Sequence, residues 1–411
     1  MPLNEEQTTA FKEVQKGTSI FLTGNAGSGK SFLLSAIIDW ANENKKNIGV
    51  TSSTGISAIN LKGRTVHSYL GIGLAKTTPY NLFTKARKNS LLKKKLSELQ
   101  ILIIDEISMI SAELLDKISE YLILMRKNNK PFGELQLVLC GDMCQLPPVG
   151  GEYCFKSNVW PVLNLKVHML RIIIRQEKDE RFKAILEEAR FGRISDENFK
   201  LLKSLNNTTF GEIKPTILFS KNVNVDAINQ LEYQKLKETG VEERTFATRY
   251  VPNTTEMREW AALNNIPSEI KLCVGCQLLI TTNLAPDLQI ANGTRCMVSG
   301  FTPQDEPIVV LKTGEQIIIE PYVFLEDDDE KNPRFACALP LRLAWAITIH
   351  KSQSATLDAA VLDLGFNIFE YGQAYTALSR VRDLHSLRIS SIRKESFKTH
   401  RDVLEFYGQI A

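Results

Sequence analysis

Two kinds of hydrophobic pattern alternate along the first half of the chain. "SIFLTG" is a short apolar run, and "SFLLSAIIDWANEN" after it spaces its apolar residues as an amphipathic helix does. "KNIGVTSST" is strand-like, and "ELQILIIDE" and "ELQLVLCGD" are nearly continuous apolar runs ending in acids. Such runs suit strands covered on both faces of a parallel sheet, which predicts an α/β fold. Between Gly63 and Leu96 the pattern loosens into a Gly-containing and then a basic stretch, read as a small insertion over residues 63–95.

The second half begins after Arg175. "PTILFS" predicts a strand and "NVNVDAINQLEYQKLKETG" a helix. From Thr245 to Pro340 the pattern changes to short strands broken by Gly, Pro, Asn and Asp, namely "KLCVGCQLLITTN", "TRCMVSGFT", "EPIVVLKT" and "EQIIIEPYVF". They predict a β module set into a second α/β unit. "LRLAWAITIHKSQSATLDAAVLDLG" then resumes the strand and helix patterns. The expected division is a first α/β domain over 1–62 and 96–185, an insertion over 63–95, a second α/β domain over 186–244 and 341–411, and a β insertion over 245–340.

The 411 residues suffice for roughly two to three domains. A hydrophobic content of 43% with 24% charged residues is ordinary for a soluble globular protein. The net charge of +3 is too small to mark a nucleic-acid partner, so any such surface must come from local segregation. Lys85, Arg87, Lys88, Lys93, Lys94 and Lys95 crowd one stretch, and Glu326 to Glu330 form an acidic run. Either is a binding surface or simply a solvated face. Cys273 and Cys276 make a lone C-x-x-C in a strand-like stretch, which reads as two buried thiols rather than a metal site. "MPLNEEQTTAF" lacks the basic start and apolar core of a signal peptide, and no apolar run is long enough to span a bilayer. The expectation is a soluble intracellular protein without a membrane partner. Nucleus, bacterial cytoplasm and viral replication site fit equally.

"GNAGSGKS" matches G-x-x-x-x-G-K-[ST], the phosphate-binding P-loop, over Gly24, Asn25, Ala26, Gly27, Ser28, Gly29, Lys30 and Ser31. Glycines let backbone N–H groups converge on phosphate oxygens, and the helix that starts there adds its positive dipole end. Lys30 is expected to neutralise the β- and γ-phosphates of ATP, and Ser31 to ligate Mg²⁺. "ILIIDE" places Asp105 beside the phosphates as a second Mg²⁺ ligand, with Glu106 positioned to orient or deprotonate the attacking water. In "LVLCGDMCQLPPV", Gln145 is placed to sense the γ-phosphate.

The ordered series of segments resembles superfamily 1B DNA helicases of the petite-integration-frequency (PIF) type, relatives of the RecD-like helicases. It comprises "LNEEQ" with Gln7, "GNAGSGKS", "TSSTGISAINL", "GRTVHSYLGIG", "IIDEISMI", "DKISEYLILMRKNNKPFGELQLVLCGD", "GDMCQLPPV", "LRIIIRQ", "LAWAITIHKSQSATLD" and "YTALSRVRDL". The resemblance implies two RecA-like domains with ATP bound between them, and Gln7 as reader of the adenine. Arg175 and Arg380 then act as arginine fingers across the cleft. Residues 63–95 become a wedge that splits duplex, with Tyr80 or Phe83 stacking or prying at the fork, and the β insertion becomes SH3-like. The activity implied is ATP-driven movement, 5′ to 3′, on single-stranded DNA, with unwinding of forked or tailed duplex by a monomer. Folded G-rich DNA is a further substrate class. Ser354 stands where the family usually has Gly.

Single strands are held by phosphate contacts and base stacking. Thr51, Ser52, Ser53 and Thr54, then Thr65, His67 and Ser68, offer hydroxyl and imidazole groups on the first domain. Thr348, His350, Lys351 and Ser352 form the corresponding group on the second. Local capping of strand-to-helix turns is the competing reading for each cluster. Trp345 lies in an apolar context and reads as core. Two other classes stay open at this stage, a P-loop kinase and a nucleotide-gated DNA-binding ATPase without processive unwinding.

Overall fold

The computed structural model describes every residue except 1, 74, 209–214, 221, 283, 285–289, 291, 312, 327–332 and 411. Most of the acidic run, from Asp327 on, therefore lies outside the described residues.

Six parallel strands form the first sheet, in the spatial order Arg64–Thr65, Ile48–Ser52, Ile101–Asp105, Gln136–Cys140, Ile20–Gly24 and Lys166–Leu170. Strands Ile20–Gly24 and Ile101–Asp105 are buried along their whole length, as their unbroken apolar runs require. A second parallel sheet has the order Ala346–Thr348, Thr216–Phe219, Ala360–Leu364 and Leu387–Ile392. Both sheets carry helices, and the α/β assignment holds. Among the described residues no helix is long and apolar enough to cross a membrane.

Three features differ from the sequence expectation. First, the β insertion is two units. Strands Gln316–Ile318, Pro307–Leu311, Arg295–Phe301, Gln277–Ile280 and Leu341–Leu343 form one antiparallel sheet around its own core, which includes Trp345, Cys273 and Cys276. The last two bury their thiols with the Sγ atoms 3.4 Å apart. Strands Tyr322–Leu325, Phe335–Ala338 and Arg249–Val251 form another, packed with the helix Thr255–Leu263 around Tyr250, Met257 and Phe324. Pairing also moves the edges of the insertion, because Glu243 lies opposite Cys273 and Leu343 opposite Leu278. Strand pairing is a long-range choice that turn residues do not encode.

Second, residues 63–95 pack into the core of the first domain. Helices Val66–Leu70, Pro79–Ala86 and Ser90–Glu98 bury Val66, Leu70, Leu82, Ala86 and Leu96 in the same core as Leu115, Ile118 and Leu122 of the helix Ala112–Arg126. Third, the last helix, Arg401–Ile410, leaves the second sheet and docks on the first domain. Phe406 stacks on Phe155 at 4.4 Å and meets Phe21 and Trp160 at 5.9 Å each. The main core is consequently continuous from Leu102 and Leu139 of the first sheet to Leu362 and Ile389 of the second.

Candidate functional site

The phosphate loop joins the buried strand Ile20–Gly24 to the helix Lys30–Glu43. Gly27 and Gly29 each adopt a φ of +83°, a region that side chains rarely occupy. A Cβ would lie 2.7 Å from Arg175 Cβ at Gly27, and 2.6 Å from Gln7 Nε2 at Gly29. The loop is thus shaped by close neighbours as well as by backbone freedom. Gln7 closes a capping box with Asn4, and its amide donates to the Gly29 carbonyl at 3.3 Å. Lys30 Nζ lies along the loop, donating to the carbonyls of Gly24 at 2.9 Å and Asn25 at 3.0 Å. Ser28 Oγ is buried and has no hydrogen-bond partner among the described residues. Ser31 is exposed on the first helical turn.

Asp105 ends its strand with Oδ2 accepting from Ser57 Oγ at 2.7 Å. Burial, and then the charge of Glu106, push its pKa up to about 6. A divalent cation would reverse that penalty, since it favours the ionised carboxylate. An unsatisfied buried hydroxyl, a Gly-built cradle, a lysine folded along it and a carboxylate short of a counter-charge suit a nucleotide polyphosphate with Mg²⁺.

Glu106 has a φ of +52°, and both of its carboxylate oxygens are engaged by the second domain. Ser354 Oγ donates to Oε1 at 2.6 Å and Gln353 Nε2 to Oε2 at 3.0 Å. Gln145 is buried in the turn after Asp142, with its backbone N–H on the Asp142 carbonyl at 3.0 Å. The two arginines come from opposite sides. Arg175 belongs to the phosphate-loop side, because its backbone N–H donates to Gly27 O at 3.1 Å, whereas its guanidinium donates to Ser379 O of the second domain at 2.8 Å. The Arg175 side chain thus runs from the first domain to the second, whereas Arg380 donates to groups of its own domain. Burial, and then the charges of Arg380 and Arg382, lower the Arg175 pKa to about 9. Arg380 is buried too, held by Thr376 O at 2.8 Å and Ser379 Oγ at 2.6 Å.

Sequence reasoning missed the buried cluster behind the loop. Asp142 accepts from Arg190 Nε at 3.1 Å and from the hydroxyls of Tyr375 and Tyr407 at 3.0 Å each. Burial alone would raise the Asp142 pKa, but the charges of Arg190 and Lys30 outweigh it and hold the carboxyl below its usual range. The Tyr375 hydroxyl also accepts from the Ala26 N–H at 2.8 Å, and Tyr407 OH lies 2.7 Å from Thr23 Oγ1. The second domain therefore touches the phosphate loop directly, and the last helix touches the strand end that enters it. Asp142 at the end of an apolar run was a visible signal; Tyr407 had none.

The candidate DNA contacts divide. Thr51 is sealed in the sheet, donating to Ile103 O at 2.6 Å, and Ser52 Oγ reaches Asp105 O at 3.3 Å. Ser352 is fully buried with its hydroxyl on Ile349 O at 2.8 Å, and Thr348 is buried and accepts from Lys351 N at 3.2 Å. Thr51 and Ser52 tie neighbouring strands together and Thr348 and Ser352 fasten their own turn, which corrects their assignment to a strand-binding face. Ser53, Thr54, Thr65, His67, Ser68, His350 and Lys351 stay half-buried, and Thr54 and Thr65 cap the helices that follow them. Burial lowers the pKa of both His67 and His350, which favours the neutral imidazole. Tyr80 is exposed, and Lys85, Arg87, Lys88, Lys93 and Lys94 are near it in sequence, with Lys93 and Lys94 exposed.

A phosphate loop on one parallel sheet, closed over by side chains from a second, assigns the chain to the two-domain P-loop ATPases. Comparison with known proteins narrows the class. The family model for PIF1-like helicases matches residues 2–200. The ATP-dependent DNA helicase PIF1 of Danio rerio is 35% identical over 99% of this chain, which spans 64% of that relative's length. The crystal structure of the Candida albicans Pif1 helicase superposes with a TM-score of 0.83 at 33% identity, covering 100% of both chains. A Bacteroides Pif1 structure in complex with ADP-AlF3 and single-stranded DNA superposes at 0.70 with 28% identity, over 100% of this chain and 97% of that one. The chain belongs to the PIF1-like family of ATP-dependent DNA helicases.

Proposed function

We propose that this chain is a motor that hydrolyses ATP to move 5′ to 3′ along single-stranded DNA and to open forked or tailed duplex. The observation that carries the reading is the sharing of one site between two domains, with Tyr375 on the Ala26 N–H, Arg175 on Ser379 O, and Gln353 and Ser354 on Glu106. A change at the phosphates is then a change at the domain interface. Lys30 and Arg380 neutralise the transferred phosphoryl, and Glu106 orients the attacking water. Mg²⁺, when bound to Ser31 and Asp105, would screen the phosphate charge. Gln7 reads the adenine and Gln145 the γ-phosphate. His350 and Lys351 grip the strand on one domain, and Ser53, Thr54, Thr65, His67 and Ser68 on the other. Opening a base-pair step costs on average about 1.4 kcal/mol, so coupling rather than energy limits unwinding. The polarity rests on the family resemblance. The motor acts as a monomer, and folded G-rich DNA is a further substrate.

The test is ATP turnover with and without single-stranded DNA, beside unwinding of forks tailed on the 5′ or the 3′ side. DNA should stimulate turnover, and only 5′-tailed forks should open. Lys30→Ala should lower turnover by roughly 10²–10³-fold while keeping the fold, judged by circular dichroism. Turnover without any DNA effect overturns the motor reading. A phosphorylated small-molecule product identifies a kinase, DNA-stimulated turnover without unwinding a nucleotide-gated binder, and opening from 3′ tails the opposite polarity.

A further inference from the structure

Ser354 is strained in a way that the proposed mechanism does not use. Its φ is +66°, a conformation that glycine adopts freely and serine only at a cost. Such strain persists where surrounding structure holds it, and it is often tied to function. Here the side chain that causes the strain is engaged, because Ser354 Oγ donates to Glu106 Oε1 at 2.6 Å. Gln353 Nε2 occupies the other oxygen at 3.0 Å. A carboxylate that is to orient or deprotonate water must have an oxygen within hydrogen-bond reach of it. In this arrangement both oxygens of Glu106 are turned to the second domain and each already accepts a bond.

The short segment that holds Glu106 also holds the other parts of the machine. His350 and Lys351 precede Ser354 by four and three residues, on the 3-10 turn His350–Ser352. Arg380 brackets it, with Nη1 3.5 Å from both Ser352 O and Ala355 O. A strand that displaced the His350–Ser352 turn would carry the donors on Glu106 and the seat of Arg380 with it.

We propose that Ser354 is a positioning residue that restrains Glu106 until single-stranded DNA engages the His350–Lys351 turn, and so suppresses ATP hydrolysis off DNA. The inference rests on the reading of Glu106 as the water-orienting group of a DNA-stimulated ATPase. A glycine at this position would relieve the backbone and drop the hydroxyl, leaving Gln353 as the sole donor of this segment to Glu106.

The experiment uses the full chain, its Ser354→Gly variant, Glu106→Gln, and the Ser354→Gly/Glu106→Gln double variant. Ser354→Gly should fold, because glycine accepts the observed φ without strain. Its DNA-free kcat should rise roughly three- to tenfold, a part of what one hydrogen bond to a charged group can contribute. KM for ATP should stay the same, the fold-stimulation by single-stranded DNA should shrink, and the gain should vanish in the double variant. A DNA-free kcat that is unchanged or lower, undiminished stimulation, or a gain that survives Glu106→Gln each overturns the restraint. Failure of the underlying reading shows elsewhere, as an unmodified chain indifferent to DNA or a Glu106→Gln variant that still turns over ATP.

Discussion

Asp142 illustrates how a residue acquires importance from partners that no local pattern reveals. It is fully buried and paired with Arg190, whose Nη2 lies 3.1 Å from its Oδ1. Because Arg190 and Lys30 depress its pKa below the unfolded value of about 3.9, the pair contributes stability that is complete above that pH. That contribution is lost as the pH falls through the lower folded value. Arg190→Met should destabilise the protein by about 3–5 kcal/mol at pH 7, since it strands a buried charge. Without the arginine, burial raises the Asp142 pKa, so the deficit should shrink near pH 4, where the carboxyl takes a proton. Denaturant unfolding of both proteins at both pH values measures this, and an equal deficit at the two would refute it. Lys30 and Glu106 are the opposite case, because their roles follow from positions fixed within one strand–loop–helix and one strand end.

Among the elements, the strands and helices of the first sheet were legible because burial on both faces leaves an unbroken apolar run. The helix Arg401–Ile410 has a clear apolar stripe, with Val403, Phe406 and Tyr407 buried, but a stripe does not name the surface that it covers. Only folding sends it across to Phe155, Phe21 and Trp160. Phe406→Ala should cost about 3–5 kcal/mol and raise hydrogen exchange across 401–410. A variant that unfolds with the parent's stability would show that this docking matters little. The β insertion was legible as β and not as two units, for alternating strands state a face but not a partner.

For the whole molecule, the basic helices Pro79–Ala86 and Ser90–Glu98 bury one side against the first domain and leave Lys93 and Lys94 outward. If that surface receives DNA, Lys93→Glu/Lys94→Glu should weaken single-strand binding. It should also flatten the dependence of log affinity on log salt by about 0.7 for each phosphate no longer neutralised. An unchanged slope, measured by fluorescence titration at several salt concentrations, identifies a solvated face. The sequence by itself determined the chemistry of the phosphate loop, because strand, glycines, Lys30 and Ser31 are contiguous and the chain has no other way to arrange them. It also determined the class, through the order of its segments. Which hydroxyls are sealed, where each guanidinium reaches, and what holds Glu106 were decided by tertiary structure alone. The contacts of Arg175 and Glu106 join residues more than 200 positions apart, and spacing along a chain carries no information about such distances until the sheets have packed.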